Sequence, residues 1–381
     1  MEIWKSLFKS QWSPFIGALL IGFVNTMMFA FESPWSVFAG LRNWGLHLLE
    51  FIPNFPDVAQ ISPLEHTSSV MDIAFLLGAF GSALLAKEFS IRIPPLKEAM
   101  KGIIGGILMG IGANFARGCT IGGFYSSISA LSVSGLYMML GLFIGTIVGL
   151  KYVIWDMGRP EKKPAEAGTA FYLPPMLQIF SGLFVIIAGL LLIPYYYDYA
   201  DLNVLGVIFC LAVILGVINQ RSRFCFVRAF REPFMTGEGE MTKAAVAAFL
   251  VCVAGFSILK FSEIRDFTVH VAPSAGLPAV IGGFIFAIGM VIAGGCASGS
   301  LWRAGEGHVK LWLAVLAFAL SAAGTHVILQ IVFEYSYFKR GFLPDIFNSW
   351  LIALLFVFGI MYLWYWLAAW NETTEKLVML K

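Results

Sequence analysis

Long apolar runs recur along this chain, each near the length that carries an α-helix across hydrocarbon. They fall at Ser13–Phe31, Val70–Phe89, Gly102–Ala116, Val133–Trp155, Pro175–Pro194, Asn203–Asn219, Lys243–Lys260, Pro278–Gly294, His308–Glu334 and Trp350–Trp370. In hydrocarbon no water satisfies the backbone, so every N–H and C=O needs an internal partner. The runs therefore predict about ten membrane helices rather than open strands. The first run lacks a short hydrophobic stretch ending in a small-residue cleavage site, and reads as a retained span.

Composition agrees with that pattern. Of 381 residues, 59% are hydrophobic and only 13% charged, where an ordinary soluble domain is about a quarter charged. Lipid must therefore be part of the solvent. The net charge of +2 says little; the placement of the charges says more. With the amino terminus inside, ten crossings return the carboxyl terminus inside, to the cytoplasmic face of the cytoplasmic membrane. The inner connections then hold nineteen Lys and Arg, among them Lys5, Lys9, Lys162, Lys163 and Lys381. The outer ones hold five: Arg42, Lys260, Arg265, Lys339 and Arg340, with Arg117 left uncounted. Tyr195, Tyr196, Tyr197 and Tyr199 read as part of an outer aromatic belt.

The chain also repeats itself. Shifted by 177 residues, Ile104–Gly122 aligns with Ile281–Gly299, and nine of nineteen positions are identical. A weaker match at an offset of 189 pairs Gly17 with Gly206, Ser33 with Ser222, Trp35 with Phe224 and Ser36 with Cys225. One transmembrane domain over 1–381 follows, with repeats at about 13–152 and 203–327, a linking span near 175–194 and a final span near 350–370. An odd number of crossings from the start of one repeat to the start of the next inverts the second. The fold class expected is thus an all-α polytopic membrane protein of two inverted-topology repeats with interrupted helices. Such repeats bring matched segments together near the bilayer midplane, so Cys119 and Cys296 are expected to face one central site.

Chemistry concentrates in the duplicated motif. Cys119 lies in Gly112–Gly123 and Cys296 in Gly289–Ser300, with Gly118 and Gly295 just before them and Thr120 just after the first. Glycine there lets the chain turn or approach closely, and a half-helix starting beyond it offers unpaired N–H groups to an anion. The plainer alternative is that the glycines serve only close helix packing. A thiol buried among apolar groups stays neutral and soft, able to meet a polarizable sulfur weakly enough for release. The alternative is a cysteine chosen for volume, the reading preferred for Cys210 and Cys252. Cys225 sits in the basic stretch Asn219–Gly237 and reads as a pathway thiol at the inner mouth, with Arg221, Arg223 or Arg228 drawing anions. An ordinary positive-inside anchor is its alternative. Arg117, an ionisable group beside the Cys119 turn, defaults to a functional role unless it reaches an interface. Arg303 and Glu306 read as a structural pair. The five cysteines avoid the outer loops and lack CxxC spacing, so neither a disulfide framework nor a zinc site is expected. No cofactor and no nucleic-acid partner is expected.

The segments Ala113–Leu136, Gln220–Gly237 and Gly294–His308 resemble the YeeE/YedE family of sulfur transport proteins, and the hydrophobic layout is similar over nearly the whole chain. That resemblance implies an hourglass-like inverted-repeat fold and uptake of thiosulfate or a related sulfur anion. It implies hand-over through S–H···S contacts, which fall here on Cys119, Cys296 and Cys225. Some members carry a cysteine where this chain has Ser36, so a selenium species is an alternative solute. A soluble cytoplasmic sulfur-carrier protein often accompanies the family, and none is fused here. A membrane enzyme transferring thiol or persulfide sulfur is the competing class.

Overall fold

The computed structural model describes residues 10–53, 61–159, 168–198, 203–273, 275–332 and 340–379. Lys5, Lys9, Lys162, Lys163, Lys339, Lys381, Tyr199 and the Glu334 end of one expected span lie outside the described residues. In chain order the helices are α1 (Pro14–Phe31), α2 (Phe38–Leu49), α3 (Thr67–Leu85) and α4 (Leu96–Ala116). A π-helical turn (Thr120–Tyr125) then runs into the single turn α5 (Ser126–Ser129), followed by α6 (Val133–Met157), α7 (Pro175–Asp198) and α8 (Asn203–Ser222). The rest are α9 (Phe226–Met235), α10 (Glu240–Phe261), α11 (Leu277–Ala293), α12 (Ala297–Gly305), α13 (Val309–Val332), α14 (Leu343–Phe347) and α15 (Trp350–Thr374). A small antiparallel ribbon pairs β1 (Ser90–Ile93) with β2 (Thr169–Tyr172). The protein is an all-α polytopic membrane protein, with ten helices among the described residues long and apolar enough to cross a membrane.

Each expected run became one helix, with ends set by local chemistry. Ser13 caps α1 by accepting from the Phe15 N–H, and Pro14 occupies the first turn, where its missing donor costs nothing. Ser349 caps α15 in the same way through the Ile352 N–H. The short helices α2, α9 and α12 were not expected from hydropathy. They hold nine to twelve residues, too few to span, and each comes directly after the polar turn that interrupts a run.

Helices α4 and α11 cross in opposite directions over bare glycines. A Cβ on Gly105 would lie 2.6 Å from the Gly289 carbonyl oxygen, and one on Gly289 would lie 2.6 Å from that of Gly105. Gly112 and Gly282 stand in the same reciprocal relation, also at 2.6 Å. The residues that exchange are those the 177-residue alignment equates, Gly105 with Gly282 and Gly112 with Gly289. Larger contacts obey the same rule: α4 packs on α13 and α11 on α6, while α3 packs on α8 and α1 on α10. Replacing α1 by α8, α3 by α10, α4 by α11 and α6 by α13 turns each pairing into another of the set. By contrast α7 and α15 lie at the periphery, with only 17% and 28% of their apolar windows buried. Tyr196 is not part of an open belt: it is buried against Phe209, with ring centroids 5.9 Å apart.

The centre is aromatic. Phe124 of the π-turn meets Phe226 and Phe230 of α9, Phe249 of α10 and Trp364 of α15 at centroid distances of 5.0–5.9 Å. This wedge fixes the interrupted segment of the first half against that of the second.

The glycine crossing yields a stability test. Gly112→Val places carbon against the Phe286 amide nitrogen, 2.5 Å from the new Cβ, so the helices must separate. A thermal melt in detergent should register an overpacking cost of ~1–3 kcal/mol or loss of the folded peak. Gly189→Ala on α7, with nothing within 4 Å of the added Cβ, should leave the melt unchanged or raise it slightly.

Candidate functional site

Three short helical segments begin on a cysteine. Cys119 precedes the π-helical turn, Cys225 caps α9 and Cys296 caps α12, each with extended backbone angles. All three are buried. A helix start leaves amides without intrahelical acceptors and carries the positive end of the dipole, so each thiol sits in a field that favours electron-rich partners. The Cys296 sulfur accepts from the Gly299 N–H at 3.4 Å and meets the Ser298 hydroxyl at 3.5 Å. The Cys119 thiol lies beside the amides of Gly122, Val37 and Ile121.

The local fold that produces these turns is the same in both places. Helix α4 ends on Arg117 at φ 58°, and α11 ends on Gly294 at φ 81°, the position the alignment equates with Arg117. A left-handed cap reverses the chain, and arginine accepts there a conformation that glycine takes without strain. The chain then closes on itself through Gly123 N–H to Cys119 O at 2.7 Å and Ser300 N–H to Cys296 O at 2.7 Å. Gly118 and Gly295 make that closure possible, because a Cβ would lie 2.4 Å from the Gly123 nitrogen or 2.7 Å from the Ser300 hydroxyl.

Cys225 and Cys296 lie together. A Cβ on Gly299 would stand 3.0 Å from the Cys225 sulfur and 3.3 Å from the Cys296 sulfur, so the two thiols converge on one small space. The first half repeats the arrangement with one substitution. Gly122, aligned with Gly299, has the Ser36 hydroxyl 2.5 Å from where its Cβ would be, and Ser36 aligns with Cys225. One half thus pairs Cys296 with Cys225, and the other sets Cys119 near Ser36. The π-turn and α12 approach each other in the centre.

Several buried donors around these turns have no hydrogen-bond partner among the described residues: the hydroxyls of Thr120 and Ser300 and the indole nitrogens of Trp35 and Trp302. Orphaned donors are uncommon in protein interiors, and their gathering around the cysteine turns fits a polar solute. Soft thiols, fixed amides and spare O–H and N–H groups together suit a small polarizable anion with oxygen acceptors. Among the described residues, no group of three or more His, Cys, Asp and Glu could hold a metal. Cys252 takes a hydrogen bond from Asn25 at 3.2 Å, part of a brace in which Asn25 also reaches Ser126 and accepts from the Trp35 amide.

The arginines behave differently from expectation. Arg221 and Arg223 both pair with Glu88, at 3.4 and 3.0 Å, and Arg223 also pairs with Glu306 at 3.4 Å. Arg228 pairs with Glu232 at 2.5 Å. Their charge is neutralised locally instead of standing open to a solute. Arg303 does not pair with Glu306; it donates to the Gly294 carbonyl at 3.0 Å, holding the left-handed turn. Burial pushes the Glu306 carboxyl up, but the His308 hydrogen bond, the Arg223 charge and the Gln220 amide outweigh it and leave the group below its usual range. Gln220 ties Ser82, Glu88 and Glu306 into this network. Arg117 and Arg42 both lie in electrostatic reach of His326, so positive charge gathers near the Cys119 turn. Gln220 and Glu88 were missed because each is a single polar residue in a separate run, with no spacing to link them.

The chain is 28% identical over 369 residues to "Probable transporter YedE" of Escherichia coli (strain K12), covering 92% of this chain and 87% of that protein. It is 37% identical over 112 residues to "Thiosulfate transporter TsuA" of Spirochaeta thermophila, 29% of this chain and 33% of that one. The E. coli protein of the same name is 36% identical over 110 residues, 29% of this chain and 31% of that protein. The sulphur transport family profile matches residues 1–148 and 221–380, leaving out all of α7 and most of α8. The chain belongs to the sulphur transport (YeeE/YedE) family of membrane proteins.

Proposed function

We propose that this protein carries a small sulfur anion, thiosulfate or a close relative, across the cytoplasmic membrane along a path lined by Cys119, Cys225 and Cys296. The observation that carries this reading is the convergence of the Cys225 and Cys296 thiols on Gly299 at two helix starts. A neutral thiol donates weakly to a soft sulfur, and the helix-start amides receive the oxyanion, so binding is firm without a fixed counter-charge. Gly118, Gly295 and Thr120 shape the turns, Arg117 supplies charge at the outer approach, and Arg223 braces the inner end. Inverted-topology repeats, with both termini cytoplasmic, are supported by the exchange of α4–α11 glycines and by the nineteen-to-five cation bias. Ser36, lacking a soft sulfur, leaves the outer pair with one thiol; competition of thiosulfate uptake by selenite tests the selenium alternative.

The convergence of the two thiols is also what a persulfide-transferring enzyme would require. Mass spectrometry of alkylated protein after turnover separates the two: the transport reading expects free Cys225 and Cys296, the enzyme reading a trapped persulfide or disulfide.

Uptake of labelled thiosulfate into proteoliposomes should fall at least about tenfold for Cys119→Ala and for Cys296→Ala, the rate equivalent of ~1.4 kcal/mol. Unchanged uptake in both, at equal incorporation, defeats the pathway. Gly299→Ala makes a sharper case, because among the described residues the added Cβ meets the two sulfurs, at 3.0 and 3.3 Å, and no other side chain within 4 Å. The variant should elute as a folded protein from a sizing column and lose most of its uptake. Full uptake by Gly299→Ala contradicts passage between the thiols.

A further inference from the structure

Asp72 on α3 is a carboxylic acid that the thiol path leaves unexplained. It is fully buried, and neither carboxyl oxygen has a hydrogen-bonded partner. The nearest amide, that of Leu41 in the first turn of α2, is already donated to the Val37 carbonyl at 3.2 Å. Gly40 makes room for the acid: a Cβ there would lie 2.2 Å from one carboxyl oxygen. The Val37 amide of the same α2 turn faces Cys119, and Asp72 itself lies in electrostatic reach of that thiol. The acid is therefore built into the outer cysteine site.

Among the described residues, no cationic side chain is bonded to either carboxyl oxygen. Of the elements packed on α3, α2 carries Arg42, which engages His326 and the Phe38 ring. Helix α8 carries Arg221, bound to Glu88, and α12 carries Arg303, bound to the Gly294 carbonyl. The described side chains of α7 include no charged group. The other titratable groups around this site are Cys119, Arg117 two residues before it, His326 within electrostatic reach of Arg117 and Arg42, His66 at the start of α3, and His270, whose ring contacts the Gly122 carbonyl at 3.3 Å. An ionised carboxylate so placed has no directly bonded counter-charge, and an anion arriving at Cys119 would add a repelling one. Anion and proton must then favour each other, since linkage makes the effect reciprocal.

We propose that Asp72 is a proton-binding site coupled to the anion: the carboxylate takes up one proton from the side the anion enters and, once the anion has passed Cys119, releases it to the opposite side, so that one proton crosses with each anion. The inference rests on the transport reading above and adds proton symport to it. The full chain in proteoliposomes, with membrane potential clamped and a pH dye inside, gives both readouts when labelled thiosulfate is added outside. Wild-type protein should acidify the lumen by about one proton per anion, and external acid should speed uptake. Asp72→Asn should move no protons with whatever thiosulfate it carries, whereas His270→Gln should keep the wild-type ratio. If Asp72→Asn carries nothing, calorimetry of thiosulfate binding in buffers of different ionisation heat counts the protons taken up by each protein. Thiosulfate uptake by the wild type without proton movement overturns the symport inference alone, as does an unchanged ratio in Asp72→Asn. Absence of thiosulfate uptake by the wild type overturns the transport reading and this inference together.

Discussion

The crossing of α4 and α11 governs the rest of the molecule. Two helices can approach until carbonyl oxygens nearly touch the opposing Cα only where side chains are missing, and Gly105, Gly112, Gly282 and Gly289 provide that. Because the same residues of each half meet in exchange, the segment after α4 is delivered to the centre in the same manner as the segment after α11. Each of these segments opens with a left-handed cap, a glycine and a cysteine. Backbone that leaves a helix inside a bilayer must find partners, and here the short segments after Cys119 and Cys296 supply them within a few residues.

That constraint sets the chemistry. A helix beginning in the protein interior has amides to spare, and a cysteine at its cap puts a soft, polarizable atom beside them. Charged side chains would hold an anion more strongly and release it more slowly, and the arginines beside Cys225 are kept from acting in that way. Glu88, Glu232 and Glu306 occupy them. The network of Gln220, Glu88, Arg223 and Glu306 instead ties the ends of α3, α8 and α12 beneath the thiol pair. The difference between the halves is small in chemistry and large in consequence: Ser36 stands where the other half has Cys225, and Asp72 lies beside the half with the single thiol.

Much of this was legible in the sequence because its signals are local or periodic. Ten apolar runs became ten helices, since hydrocarbon leaves the backbone no alternative. The two alignment offsets, 177 and 189, acquired a spatial meaning when Gly122 was found against Ser36 and Gly299 against Cys225. Other features are encoded in residues distant along the chain. Pairing of Arg223 with Glu88 depends on the packing of α3 against α8, which no spacing announces. Asp72 looks like a span-end residue in sequence, and only the placement of α2 over it removes it from water. Glu306 and Arg303, close neighbours in the chain, part company because the Gly294 carbonyl needs a donor and Arg223 arrives from another helix.

The account stands on solute passing between thiols at the meeting of the two interrupted segments. Electron cryomicroscopy of the protein in lipid nanodiscs with saturating thiosulfate examines that directly. Density for the anion is expected against the Cys225 and Cys296 sulfurs above Gly299, or against Cys119 beside Ser36. Thiosulfate density elsewhere, with both cysteine turns closed and in contact only with protein, would contradict it.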